Sequence, residues 1–496
     1  MSNSLRKLAG QTAVYGLSTI LVRMLNYLLA PLHTRVFLDQ GDYGAISELY
    51  AYVTFLNVIF MYGMETAFFR FAKNGNSLQQ NRTVFSTAQT SLLFTTLIFL
   101  FPLLFLSGNI ANVLQYPGQG EYVIYFALII AFDTLVNIPF AKLRLENKPW
   151  KYFTIKLVNV GINIFFNFFF LLPALTGNDK LFAFTGFVYK PELGVAYVFM
   201  ANLIASTVTF LIFTRTFFNL HFDRTLWKKM MRYGLPLIII GLAGMINETI
   251  DRILLKYWLP GTPAENLKQV GIYSAVYKIS IFMTLAVQAF RMGAEPFFFN
   301  NAAEKNAPRT YADVMKYFVI VCCFIFLLVG MFPEVFKIII GENYHEGLFI
   351  VPILLMANLF LGIYYNQSVW YKLTDKTTFA TLIPIVGAAI TLVLNFLLIP
   401  KIGYQGSAWA TLACYGGMVI LSYIIGQKYY PVPYNLRKIL LYLVLSVLFC
   451  LLGLQCVKWF ENMHFVQIFS RIVLLGLFIL VAYWMDLQKI LRKKTL

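Results

Sequence analysis

Fourteen long apolar runs follow one another along the 496-residue chain, joined by short polar connections. They fall at roughly 9–35, 43–69, 83–107, 121–143, 152–175, 192–214, 232–258, 270–298, 315–333, 348–371, 378–399, 405–427, 437–457 and 465–486. Each is long enough for a bilayer-crossing helix, which needs roughly 20 apolar residues. In hydrocarbon every backbone N–H and C=O must be satisfied within the protein, so segments of this length fold as helices. The chain is 59% hydrophobic and only 12% charged, against about 45–50% and about 25% in soluble domains. Its mean hydropathy is +0.69. These values exclude an ordinary water-soluble enzyme. They also exclude a disordered chain, which combines low hydrophobicity with high charge. The expected fold is an all-α polytopic membrane protein of about fourteen transmembrane helices with no large extramembrane domain.

Charge orients the helices. The chain carries 40 Lys and Arg against 22 Asp and Glu, a net +18. With both termini cytoplasmic, 26 basic residues fall on cytoplasmic segments and 8, Lys256 among them, on outer ones. Such asymmetry is the positive-inside signature of a multi-pass protein; the expected location is the cytoplasmic (inner) membrane of a bacterium. The basic excess therefore answers to anionic lipid. No RNP motif, zinc-finger spacing or separate basic domain supports a nucleic-acid partner. All seven tryptophans fall near span ends, as an interfacial belt requires. The N-terminal MSNSLRKLAG runs into apolar sequence without a small-residue cleavage site, and reads as the start of an uncleaved first span. Five cysteines lie in apolar runs without metal-type spacing, and read as small core residues. The four histidines lie in or near loops and read as solvated or interfacial.

The chain repeats itself. Tyr15-Gly16-Leu17 opens the first span and Tyr233-Gly234-Leu235 the seventh. The second span begins DYGAISELYAYVTFL and the eighth VGIYSAVYKISIFM. Asn167, Pro173 and LGVAY correspond to Asn395, Pro400 and YQGSAWA. Each copy has six spans, so both share one orientation and a pseudo-two-fold axis along the membrane normal relates them. The expected division is an N-terminal six-helix bundle (1–215), a cytoplasmic linker (216–230), a C-terminal six-helix bundle (231–428), and two further helices with a basic tail (429–496).

Ionisable residues inside spans are costly and mark functional positions. The basic ones are Arg23, Lys156, Arg252, Lys278, Arg291 and Arg471, and the acidic ones noted with them are Glu65, Asp133, Glu248, Asp251 and Glu295. Arg23 lies mid-span with no acid three or four positions away. It reads as a cavity cation, since guanidinium fits phosphate bidentately, against an inter-helix pair with Asp133 or Glu65. Lys278, in the eighth span, reads equally as a second phosphate ligand or as a salt bridge to Asp251. Glu248 and Arg252 have the spacing and order of a self-neutralised helical pair. That leaves Asp251 for Lys278 or for a coupling cation. Asp133 reads as a hydrogen-bonded buried acid, with a proton carrier as the second reading. Glu65 is expected to pair with Arg70 at the interface, and Arg291 with Glu295 near the cytoplasmic end of the eighth span. Lys156 and Arg471 are expected to snorkel, or in the case of Arg471 to dock the last helix.

No Walker loop, Rossmann glycine pattern, nucleophile elbow or HExxH is present. Nothing points to an enzyme, a metal or a bound cofactor. Any pumping is expected to draw on a proton or sodium gradient, on membrane potential or on substrate flux.

The chain resembles the oligosaccharide flippases of the MOP exporter superfamily, often described as polysaccharide biosynthesis proteins. The resemblance rests on APLHTRVFLDQGDYGAISELYA, on GMETAFFRFA, on the stretch from Asp251-Arg252 to VGIYSAVYK, and on NFLLIPKIGYQGSAWAT. It covers about the first 430 residues. It implies a V-shaped helical fold alternating between inward- and outward-facing states. The implied substrate is an isoprenoid-diphosphate-linked oligosaccharide, moved from the cytoplasmic to the outer leaflet for cell-surface polysaccharide synthesis. Implied partners are that lipid, bulk membrane lipids, and a polymerase or glycosyltransferases. Related lipid II flippases place basic residues of helices 1 and 8 in the cavity. Arg23 in LVRML and Lys278 in AVYKIS match two of these positions. Leu29 falls where a further arginine would stand, which disfavours lipid II itself. The competing reading is a cation-coupled antiporter of soluble amphiphiles or drugs, a class that usually has twelve helices. A membrane glycosyltransferase would need clustered acids or a sizeable loop, and the sequence has neither.

Overall fold

The computed structural model describes residues 20–22, 24–73, 78–218, 220–460 and 463–487. Among these residues the regular elements are helices. In the first half they are α1 (Leu29–Val36), α2 (Gln40–Met61), α3 (Met64–Lys73), α4 (Leu78–Phe105), α5 (Gly120–Leu145), α6 (Pro149–Thr176), α7 (Ala196–Phe213) and α8 (Arg224–Trp258). Then come α9 (Pro263–Tyr277), α10 (Ile281–Asn300), α11 (Ala307–Met331), α12 (Val351–Gln367), α13 (Thr378–Ile402), α14 (Tyr404–Tyr429), α15 (Leu436–Trp459) and α16 (His464–Ala482). Thirteen continuous helices among the described residues are long and apolar enough to cross a bilayer, with α2–α3 and α9–α10 each forming one of them. They are the second to fourteenth expected spans. Helix α1 is the described end of the first, and Arg23 lies outside the described residues. The chain is thus an all-helical, multi-pass membrane protein.

Local chemistry sets where helices begin and break. Asp39 caps α2 by accepting from the Gly41 amide at 2.8 Å, and Asp223 caps α8 by accepting from the Leu226 amide at 3.0 Å. Each satisfies a donor that the first turn leaves orphaned. Pro149 opens α6, where its missing N–H costs nothing, and Gly177 in the left-handed region ends it. Two spans are interrupted midway. Tyr62 and Gly63 both have positive φ between α2 and α3. A 3-10 turn, Lys278–Ser280, separates α9 from α10. A mid-span 3-10 stretch loosens the i to i−4 ladder and often marks a hinge.

The helices pack into two compact units, Met1–Ala275 with Asn395–Tyr404 and Val276–Leu394 with Gln405–Leu496. In the first, α5 packs on α4, α7 and α2, and α8 runs along α2. Packing therefore groups α8 and α9 with the first-half helices, although the sequence repeat counts them in the second copy. His33 is buried, not solvated, and donates to Asn167 Oδ1 of α6 at 2.7 Å. In the second unit α11 packs on α12 and α15, and α10 on α12. Trp370 is buried here and donates to Ser422 at 3.2 Å, unlike the exposed Trp150, Trp459 and Trp484. All five thiols are free.

Two charged residues tie the last helices down. Arg471 of α16 is buried and donates to the Met331 carbonyl at 2.7 Å and to the Glu334 carboxylate at 2.9 Å. It docks the helix and does not snorkel. Asp486, after α16, accepts from Lys438 at 2.7 Å and Tyr442 at 2.8 Å, both on α15, and faces Lys316 of α11 at 3.0 Å. Asp486→Asn removes the anion between two ammonium groups. Breaking a buried pair one-sidedly costs about 3 kcal/mol, so a lowered thermal midpoint is expected in detergent, with Tyr442→Phe much milder.

Candidate functional site

A buried charge cluster of the first unit lies where α2, α8 and the segment before α5 meet. Glu48 of α2 and Lys256 of α8 form an ion pair at 2.9 Å, with both side chains at 0% exposure. The Tyr116 hydroxyl donates to the same Glu48 oxygen, and Lys256 Nζ stands 3.8 Å above the Tyr116 ring. Burial and the Glu48 carboxylate hold the Tyr116 phenol well above its ordinary range, so it remains a donor. Tyr52 donates to Tyr257 at 3.3 Å beside the pair. Asn266 of α9 donates to the Lys256 carbonyl at 2.9 Å and to the Leu259 carbonyl at 3.0 Å, closing the exposed end of α8. A buried carboxylate and ammonium survive only when paired and hydrogen-bonded in this way.

One turn from this cluster α2 and α9 touch backbone to backbone. A Cβ on Gly44 would overlap the Leu267 carbonyl, and one on Gly271 would overlap the Gln40 carbonyl. The contact is symmetric in sequence as well as in space. Gly44 of DYGAIS and Gly271 of QVGIYS hold the same place in the repeat, and so do Gln40 and Leu267, four residues before each. The two copies therefore cross at equivalent glycines, as expected of a pseudo-two-fold axis between them. Small residues permit this approach in membranes, where close packing supplies the helix–helix attraction. A second glycine contact lies further along, where a Cβ on Gly63 would overlap the Gly234 carbonyl.

The residues singled out from sequence have several unexpected partners. Arg252 does not pair with the Glu248 carboxylate. It bonds Asp251 Oδ1 at 2.8 Å and only the backbone carbonyl of Glu248, at 3.1 Å, while the Glu248 side chain is exposed. Asp251 faces inward because Tyr273 of α9 donates to its other oxygen. Its partners are thus Arg252 and Tyr273 instead of Lys278. Glu65 pairs with Arg144 of α5, not with Arg70; Arg70 sits over the Tyr233 ring at 4.2 Å. Glu295 pairs with Lys372 at 2.7 Å, not with Arg291, which stacks on Tyr365 at 4.6 Å. For Glu65 and Glu295 a partner on a neighbouring helix displaces the expected one, and for Arg252 it is the adjacent Asp251 on its own helix.

Asp133 accepts from Ser206 of α7 at 2.8 Å, and Asn202 of the same helix donates to Tyr50 of α2 at 2.8 Å. Lys156 lies over the Phe140 ring at 4.3 Å. Lys278 is half-buried and opens the 3-10 turn between α9 and α10. Asn358 of α12 donates to the hydroxyl of Ser280 in that turn at 3.4 Å. Groups of three or more His, Cys, Asp or Glu suited to a metal are absent among the described residues.

Glu48 and Lys256 escaped the sequence reading. Lys256 counts there as an outer-loop charge, and Glu48 lies just inside its span. The criterion that selects Arg23 also selects both, since neither has an opposite charge three or four positions away.

A family profile described as polysaccharide biosynthesis protein matches residues 8–300. The chain belongs to that family. It is 23% identical to a membrane protein of Methanocaldococcus jannaschii over 97% of this chain and 96% of the relative. Its fold matches that of the lipid II flippase MurJ in an inward closed conformation, with a TM-score of 0.70, 15% identity, and coverage of 95% of this chain and 99% of the other. It also matches the MATE multidrug transporter DinF-BH in complex with R6G, with a TM-score of 0.60, 16% identity, and coverage of 86% and 96%. The two solved structures are those of transport proteins and not of enzymes.

Proposed function

We propose that the protein carries an isoprenoid-diphosphate-linked oligosaccharide from the cytoplasmic to the outer leaflet of the cytoplasmic membrane by alternating access, with both termini cytoplasmic. The observation that carries this reading is membership of the polysaccharide biosynthesis family. The full-length likeness to a lipid flippase supports it. A diphosphate headgroup cannot cross hydrocarbon unaided, because burying bare charge is expensive. A cation-lined path replaces its hydration while the tail stays in the bilayer. Arg23 and Lys278 are the proposed diphosphate ligands, and the 3-10 turn at Lys278 gives that ligand a backbone able to bend. Asp133 and Asp251 are the proposed coupling residues for a proton or sodium gradient, with membrane potential as the alternative driving force. Glycosyltransferases and a polymerase are proposed partners, supplying and consuming the lipid-linked glycan.

The likeness to DinF-BH favours a second reading, a cation-coupled antiporter of soluble amphiphiles. Cells lacking their own copy separate the two. Wild-type protein is expected to restore surface polysaccharide, Arg23→Ala and Lys278→Ala to lose most of it, and Arg23→Lys to retain more than Arg23→Ala. Full restoration by both alanine variants would overturn the assigned ligands. Resistance to toxic cations without any polysaccharide would favour the antiporter.

A further inference from the structure

We infer that the cytoplasmic end of the eighth span carries a separate binding site for the phosphate of a lipid headgroup, centred on Arg291. The side and depth of the site rest on the orientation proposed above. The helical span Pro263–Asn300 has 38 residues, and at 1.5 Å per residue it far exceeds the roughly 30 Å hydrocarbon core. Arg291 lies about 14 Å from its Asn300 end. The sequence beyond Arg291 carries Glu295, Asn300, Asn301 and Lys305, so Arg291 falls at headgroup level.

A shallow, open groove lies here, with walls that include Arg291, Glu295, Phe299, Tyr365, Ser368 and Lys372. All belong to the second unit. Arg144, Arg252 and Arg471 each meet a carboxylate, namely Glu65, Asp251 and Glu334. Arg291 meets none among the described residues. The acid four residues on, Glu295, is taken by Lys372 at 2.7 Å. One arginine, one lysine and one glutamate leave the groove net positive. Tyr365 supports the guanidinium from below at 4.6 Å. This cation–π contact restrains the side chain, while Arg291 stays exposed and so accessible to a phosphate, which a guanidinium can bind bidentately. Phe299, which lines the same groove, is 48% exposed, an apolar margin for the tail of the same molecule. A phosphate attached to an apolar chain fits both halves. A resident anionic phospholipid and an arriving isoprenoid diphosphate share that chemistry.

The test is equilibrium binding to full-length, delipidated protein in detergent, read as a thermal shift. The probes are farnesyl diphosphate and phosphatidylglycerol, with phosphatidylcholine as the zwitterionic control. Both anionic probes are expected to stabilise the wild type more than phosphatidylcholine does. Loss of one charge-assisted bidentate contact in Arg291→Gln should weaken them about tenfold. Arg291→Lys should keep part of the affinity, and Arg309→Gln, an exposed arginine on α11, all of it. Tighter binding of farnesyl diphosphate identifies a loading station for the substrate, and equal or tighter phosphatidylglycerol a resident lipid. Unchanged binding in Arg291→Gln, or an equal loss in Arg309→Gln, overturns the site. The flippase reading survives that result, because binding in detergent does not depend on transport. Arg291-dependent binding by a protein that moves no lipid would uphold the site and leave the flippase reading to fail separately.

Discussion

Lys256→Met should destabilise the protein by about 3–5 kcal/mol, the cost of stripping one partner from a fully buried ion pair. The substitution leaves the Glu48 carboxylate enclosed at 0% exposure, with the Tyr116 hydroxyl still donating to it and no cation nearby to offset its desolvation. Glu48→Gln should cost less, since the amide still accepts from Lys256. The double variant Glu48→Gln with Lys256→Met should recover most of the loss, because replacing both charges with neutral groups of similar size is close to neutral. Unfolding of the four proteins in one detergent gives the coupling energy directly. A Lys256→Met midpoint within error of wild type, or a double variant as unstable as the sum of the singles, would show that the pair is solvated in the folded protein.

Gly271→Leu should abolish transport. Even a Cβ at this position overlaps the Gln40 carbonyl, and the matching position Gly44 meets the Leu267 carbonyl. Neither neighbour can rotate away, because both are helical backbone. The variant must therefore hold α2 and α9 apart, well beyond the 1–3 kcal/mol of ordinary overpacking. Ser274, one turn along α9, is 2% exposed in the native packing. A cysteine there should react slowly with an impermeant maleimide in otherwise native protein, and at least about tenfold faster beside Gly271→Leu, in proportion to the open population. Full transport with an unchanged labelling rate would show that the crossing is incidental.

Sequence carried the fold a long way and the pairings only part of it. Bilayer thickness forces each long apolar run into a helix, so the second to fourteenth spans follow from composition along the chain. The glycine in YGAIS and VGIYS was legible as a repeat. That the two copies touch there depends on where α2 and α9 lie in space. Ion pairs follow three-dimensional neighbours more than helical spacing. Arg252 turns from Glu248 to Asp251 because Tyr273 of another helix holds that carboxylate inward. Glu65 finds Arg144 across 79 positions, and Glu48 finds Lys256 across 208. No local pattern encodes such distances. What the sequence does hold is the unneutralised charge itself. Glu48 within ISELYAY and Lys256 within RILLKYW each stand in apolar helix with no opposite charge at i±3 or i±4. A buried charge without a local partner demands a remote one.

Transbilayer movement of the lipid itself is the decisive quantity. Purified protein in proteoliposomes, loaded with an isoprenoid-diphosphate oligosaccharide, would be treated with an impermeant sugar-modifying enzyme. The account predicts that wild-type protein brings lipid from the inner leaflet to the probe, and that Arg23→Ala and Lys278→Ala slow this sharply while leaving the vesicles sealed. Wild-type protein that leaves the inner-leaflet fraction protected for a panel of lipid-linked glycans, with and without an imposed ion gradient, yet exchanges soluble amphiphiles for cations, would contradict it.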